Sequence, residues 1–194
     1  IERINKKLKY NNMTKIFSNV MDYKVVADNG FQFNVNVYGV NNFGNRKWML
    51  RAVNVIRDYS GCQIGFINNG GIRNGAFPIR TNDNITVGKV WEIMPFDNFV
   101  KTCTMTVDLV IEAYYANDVL HSDNVEVKNG ELYVNGVKCK GDETFTVAAV
   151  DYIFDKTNFP FLKAADQSTT GQLYRDYLIQ AIKDECANGE KWNG

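Results

Sequence analysis

At 194 residues, with 45% apolar and 13% aromatic side chains, the chain has the composition of a globular protein with a sizeable core and not that of a disordered one. Its 22 basic and 22 acidic residues cancel, so no extended basic face is forced and a nucleic acid polymer is disfavoured as a partner. No apolar run approaches the ~18 residues of a membrane span, and a single histidine argues against a dinuclear metal centre, which usually draws on several His and Asp ligands.

The four cysteines, Cys62, Cys103, Cys139 and Cys186, lie far apart with no CxxC pair, which disfavours a zinc or thioredoxin-like site. Up to two disulfides and free buried thiols are both compatible with that spacing. The chain begins at Ile1, so a processed protein or a fragment is expected, and the lack of a leader carries no information. Two glycosylation sequons, Asn12-Met13-Thr14 and Asn84-Ile85-Thr86, are too short to weigh much.

In chain order, residues 1–10 are basic and polar, with Ile1, Ile4 and Leu8 at helical spacing, and are expected as an exposed helix or linker. Phe31, Phe33, Val35 and Val37 alternate with polar residues, the period of a half-buried strand. Residues 41–45 are expected as a polar turn. Over residues 47–59, Trp48, Ala52, Val55, Ile56 and Tyr59 make the apolar stripe of a helix that Gly61 closes. A strand over 62–67 follows.

That strand runs into Asn68-Asn69-Gly70-Gly71-Ile72-Arg73. The paired glycines would allow positive φ and a close approach of backbone to a ligand. The Asn amides offer donors and acceptors, and Arg73 offers a planar fork. Ligands of α/β folds sit beyond the carboxyl ends of strands, where this turn lies. A plain hairpin turn with a surface arginine is the other reading of the same residues.

A short helix over 86–93, capped by Thr86 and stopped by Pro95, leads to the loop Met94-Pro95-Phe96-Asp97-Asn98, which presents Phe96. A strand over 99–106 and a helix over 108–115 follow, with Val110, Ala113 and Tyr114 facing inward. His121, beside Ser122 and Asp123, is expected on a surface loop. Asn129-Gly130 and Asn135-Gly136 signal two hairpins. A strand over 144–150 empties into Asp151-Tyr152-Ile153-Phe154-Asp155, and an irregular stretch with Pro160 covers 156–168. The last helix is expected to begin near Thr169, on a Thr169-x-x-Gln172 capping box, with Leu173, Tyr177, Leu178, Ala181 and Ile182 as its stripe. This mixture of helices and strands predicts a layered α/β domain with a mixed sheet.

Three stretches in this order are distinctive together: the Asn68–Arg73 turn, Val87 to Asn98 ending in Met94-Pro95-Phe96-Asp97-Asn98, and Val147-Ala148-Ala149-Val150-Asp151-Tyr152-Ile153 followed by Thr170-Gly171-Gln172-Leu173-Tyr174-Arg175-Asp176. The ordered set resembles the C-terminal domain of the 5′-nucleotidase family over roughly residues 48–183. The resemblance implies an α/β/β/α sandwich over 25–187, preceded by an arm (1–24) from a metallophosphoesterase domain and followed by a tail (188–194). In that family the N-terminal domain holds two divalent metal ions and hydrolyses the phosphate ester, while the C-terminal domain binds the nucleoside.

Carried over by position, Phe96 and Tyr152 resemble the two rings that sandwich the base, and Asn68, Gly70, Gly71 and Arg73 resemble the turn that contacts the nucleotide. Core packing is the alternative fate of both aromatics. Arg46 is the nearest match to an arginine before the first helix, and Asn54 stands where the family has Asp. The family's Gly-Gly-Asp run, whose acid holds the ribose, is replaced by Lys156-Thr157-Asn158-Phe159-Pro160-Phe161, leaving Asp155 or Asn158 as substitutes. The resemblance further implies a nucleoside or nucleotide ligand, no metal in this chain, no hydrolysis by this chain alone, and a location outside the cytoplasm. Rival expectations are a non-catalytic nucleoside-binding module, a structural domain with a decayed pocket, and action on 2′,3′-cyclic nucleotides, nucleotide sugars or dinucleotides.

Overall fold

The computed structural model describes residues 41–77, 87–156 and 159–187. The expected arm, the alternating strand near Phe33, the Thr86 cap, both sequons, Asn158 and the tail lie outside these residues.

Helix α1 spans Asn41–Tyr59 and so begins earlier than its apolar stripe. Residues 41–45, expected as a turn, are helical, because one glycine without a proline costs only about 1 kcal/mol and does not stop a helix. Trp48, Ala52, Val53 and Ile56 are fully buried, while Tyr59 is exposed and donates its hydroxyl to Asp184 at 2.7 Å. Gly61 at φ +70° closes the helix, with Cys62 N–H on the Arg57 carbonyl at 2.9 Å and Gly61 N–H on that of Asp58 at 3.2 Å. These are the paired bonds of a Schellman ending.

The remaining elements are β1 (Ile64–Asn68), α2 (Val87–Ile93), β2 (Phe99–Thr106), α3 (Val107–Tyr114), β3 (Val119–His121), β4 (Val125–Lys128), β5 (Glu131–Val134), β6 (Val137–Lys138), β7 (Thr144–Val150), α4 (Asp151–Phe154), β8 (Ala165–Leu173) and α5 (Tyr174–Ala187). Five strands form one sheet in the order β3-β1-β7-β2-β8. β1 runs parallel to β7, with Ile64 beside Val147 and Phe66 beside Ala149, and the other three pairs are antiparallel. The fold is therefore mixed α/β with a mixed sheet. The two parallel strands are near-continuous apolar runs, as strands covered on both faces must be.

Alternation along β1 assigns the faces. Gly65 turns toward α1, and a Cβ there would come within 2.6 Å of the Val53 carbonyl oxygen. Phe66 turns the other way and meets Phe161, ring centroids 5.3 Å apart, which in turn meets Phe154 at 5.5 Å. α5 packs beside α1, and α3 packs on β2, β3 and the three-stranded β4-β5-β6 meander. The meander's turns place Asn129, Gly130, Asn135 and Gly136 at φ 53°, 77°, 53° and 75°, the conformation that Asn-Gly hairpins favour.

The C-terminal part departs from expectation. Residues 165–173 form edge strand β8 on β2, and the last helix begins at Tyr174, not near Thr169. The supposed capping residues bond locally instead. Thr169 Oγ1 accepts from Gly171 N–H, and Thr170 Oγ1 accepts from Gln172 N–H and donates to the Val100 carbonyl, each within 3.2 Å. Such short polar side chains compete with helix bonding wherever a turn offers them partners.

Cys62, Cys103 and Cys139 are free thiols. Burial, reinforced by Cys62 and opposed by Lys101, pushes the Cys103 thiol up to about 12. A thiol-specific reagent at pH 8 should leave Cys103 unmodified in the native protein and label it only after denaturation; fast native labelling would contradict its burial. Gly65→Ala should cost about 1–3 kcal/mol, because the new methyl meets backbone and not a movable side chain. Thermal unfolding should register this as a clear drop in Tm, and an unchanged Tm would show that α1 can move away freely.

Candidate functional site

Because β1 and β7 are parallel neighbours, their carboxyl ends lie side by side. At the end of β1, Asn69–Gly71 makes one 3-10 turn. Asn69 N–H donates to the Asp118 carbonyl at 2.8 Å and Arg73 N–H to the Ile93 carbonyl at 2.8 Å. The turn is thus tied on one side to the loop before β3 and on the other to the end of α2. Gly70 and Gly71 are not among the glycines with positive φ, so the expected left-handed turn is not formed. A Cβ on Gly71 would instead lie 3.4 Å from Asn68 Oδ1, because the Asn68 side chain folds over both glycines.

At the end of β7, α4 buries Ile153 and Phe154 and leaves Tyr152 44% exposed. Between the two strand ends lies an open cleft of about 530 Å³. Asn68 and Gly70 line it from the turn, Tyr152, Lys156 and Phe159 from beyond β7, and Asn117 and Asp118 from the loop before β3. Lys156 Nζ stands 4.6 Å from the Tyr152 ring centroid.

Phe96 is 42% exposed, and the Arg73 guanidinium lies 4.8 Å from its ring centroid. Its loop is held from below by Arg175, a fully enclosed side chain on α5. Arg175 Nη1 donates to the Met94 and Phe96 carbonyls at 3.3 and 3.1 Å, Nη2 donates to the Asp97 carboxylate, and the guanidinium stacks 3.8 Å from the Trp91 ring centroid. The same loop reaches the Tyr152 element. Asp151 accepts from Asn98 Nδ2 at 2.8 Å and from Phe99 N–H at 3.1 Å. The loop that carries Phe96 and the helix that carries Tyr152 are therefore braced against one another.

The structure thus gathers Asn68, Gly70 and Tyr152 at one cleft, and pairs Arg73 with Phe96. Arg46 is exposed near the start of α1 and Asp155 is exposed at the end of α4; neither lines the cleft. Asn54 accepts from Asp123 N–H at 3.1 Å and Arg57 Nη1 at 3.4 Å, in a polar network near the start of β1. His121 is not a surface-loop residue. It lies half-buried on β3, stacked on Tyr114 at 4.4 Å, since pairing with β1 draws it into the sheet.

Sequence reasoning gave no site role to Asn117, Asp118, Lys156, Phe159 or Arg175. The Asn117-Asp118 pair does carry a turn signal, and Asp118 has φ +62°. A second open groove of about 490 Å³ lies among α1, α2 and α5, lined by Tyr59, Trp91, Asp176 and Tyr177 among others. Among the described residues, no group of three or more His, Cys, Asp or Glu could hold a metal ion, and no helix is long and apolar enough to cross a membrane.

The family model of the 5′-nucleotidase C-terminal domain matches residues 27–113. That match takes in α1, the glycine turn and the Phe96 loop, and bears out the resemblance read from the sequence. The 5′-nucleotidase precursor of Thermus thermophilus superposes with a TM-score of 0.57 at 22% identity, covering 74% of this chain and 32% of that one. The NAD nucleotidase of Haemophilus influenzae superposes with a TM-score of 0.54 at 14% identity, covering 70% of this chain and 30% of that one. The chain thus spans about a third of the length of these structures. At such identities the likeness speaks to the fold. No curated protein matches the sequence.

Replacing Arg175 by Leu should cost about 2–3 kcal/mol, since charge-assisted bonds to three loop acceptors vanish together. Asp97→Asn should cost under ~1 kcal/mol, because that carboxylate is 74% exposed. Urea midpoints measure both, and the reverse order would refute the brace.

Proposed function

We propose that this chain is the nucleoside-binding domain of a 5′-nucleotidase-type phosphohydrolase. One observation carries the reading: Asn68, Gly70 and the exposed Tyr152 ring, delivered by two parallel strands, share one open cleft. Its size falls within the range of about 300–1,000 Å³ usual for small-molecule sites.

In this reading the base stacks on Tyr152, and Phe96 supplies the second ring. Stacking contributes about 1–3 kcal/mol per base and tolerates base identity. The amides of Asn68 and Asn117 meet the polar edges of the ligand, and Arg73 stabilises charge on the ribose–phosphate side. Asp118 takes the place of the family's ribose-holding acid as the carboxylate available in the cleft. Two divalent ions on a separate metallophosphoesterase domain would supply the hydrolytic chemistry. This chain would bind and orient the nucleoside and by itself hydrolyse nothing. The same reading expects the protein to work outside the cytoplasm, as many members of that family do.

Calorimetric titration with adenosine, AMP, uridine and NAD tests the proposal; NAD is included because one structural neighbour is an NAD nucleotidase. Adenosine should bind saturably, and Tyr152→Ala and Phe96→Ala should each weaken it about tenfold. Binding that neither substitution disturbs would refute the stacking site. AMP hydrolysis at an enzyme-like rate by the pure chain with divalent metal would refute the division of labour.

A further inference from the structure

Both rings assigned to base stacking carry a cation: Arg73 over Phe96 at 4.8 Å and Lys156 over Tyr152 at 4.6 Å. Other cations placed over rings are committed elsewhere. Lys128 pairs with Glu126, Arg175 pairs with Asp97, and Lys101 lies over Phe154, which is buried and closed to ligands. Arg73 and Lys156 differ. Among the described residues neither has a carboxylate partner, and each has the ring as its side-chain contact.

We propose that Lys156 determines specificity in this cleft, covering the Tyr152 ring in the free protein and leaving it for the phosphate of a bound nucleotide. The proposal rests on the nucleoside-site reading and adds a selection rule to it. Lys156 and Tyr152 line the same cleft, so in this reading the ammonium sits on the ring face that a planar base entering the cleft would take. A cation over an exposed ring is worth about two- to fivefold in an equilibrium constant, so the cover is weak and readily displaced. What the displaced ammonium meets next then decides the balance. A nucleoside offers it only neutral oxygens. A nucleotide offers phosphate oxygens, and charge-assisted bonds to these are roughly twice as strong as neutral ones. The four-carbon stem gives Lys156 the reach to swing between ring and anion without moving the backbone. Arg73 stands in the same relation to Phe96, so phosphate would uncover both rings together. The cleft then favours phosphorylated ligands through residues of this chain, before any metal domain acts.

The test is the ratio of AMP to adenosine affinity, measured calorimetrically at low salt on the 194-residue chain and its Lys156→Met and Lys156→Arg variants. The parent chain should prefer AMP by about tenfold. Lys156→Met should bind adenosine about two- to fivefold more tightly, because the cover is gone, and its preference for AMP should fall by at least that factor, Arg73 supplying what remains. Lys156→Arg should keep the preference. An AMP-to-adenosine ratio unchanged in Lys156→Met overturns this proposal alone, since retained adenosine binding would show that the site itself is intact. Failure of the parent chain to bind adenosine and AMP overturns the nucleoside-site reading and this inference with it.

Discussion

The parallel pairing of β1 with β7 is the constraint from which the rest of the arrangement follows. In an otherwise antiparallel sheet, Ile64, Gly65 and Phe66 run in register with Val147, Ala148 and Ala149. Two neighbouring strands then end at the same edge, one in the Asn68 turn and the other in the Asp151–Phe154 helix. An antiparallel pair would have sent those ends to opposite edges. The pairing needs cover on both faces. The α1 side is held at close range because Gly65 has no side chain, and the opposite side is filled by Phe66, Phe154 and Phe161.

Electrostatics sets the character of the cleft. The chain as a whole is neutral, and several surface lysines sit on carboxylates, as Lys138 does on Glu131 and Lys163 on Glu112. Around the two exposed rings the pattern changes, since Lys156 and Arg73 lie against π faces and not against acids. Beneath them, Arg175 and Asp151 spend their hydrogen bonds on loop backbone and on Asn98. Hydrogen-bonded supports thus lie beneath the two rings and cations lie over their faces. In the proposed reading, that arrangement would serve a planar base and an anionic group together.

Much of this was legible in the sequence, and the reasons differ by element. The strands at Phe99–Thr106 and Thr144–Val150 announce themselves residue for residue through β-branched and apolar patterning. The Asn-Gly pairs fix the meander because few other residues adopt positive φ so readily. β8 was hidden because an exposed edge strand rich in Gln, Ser and Thr has no apolar alternation to show. Thr169 and Gln172 imitated a helix cap because the same hydroxyl chemistry serves turns and caps. In the cleft, Asn68 and Tyr152 stood out through their motifs. Asn117 and Asp118 did not, because they reach the site only when β3 pairs with β1 and brings Asp118 against Asn69. Arg175 was visible as part of a motif, yet its role depends on α5 lying under a distant loop, at a sequence separation of 81 from Met94 and 79 from Phe96.

The central claim is that the ends of β1 and β7 build one ligand site. Amide-resolved NMR titration of the chain with adenosine tests it most directly. The account predicts that the large shifts fall on Asn68, Gly70, Asp118, Tyr152 and Lys156, with little change around Trp91 and Tyr177. Shifts centred instead on the groove among α1, α2 and α5, or saturating adenosine with no shift at the strand ends, would contradict it.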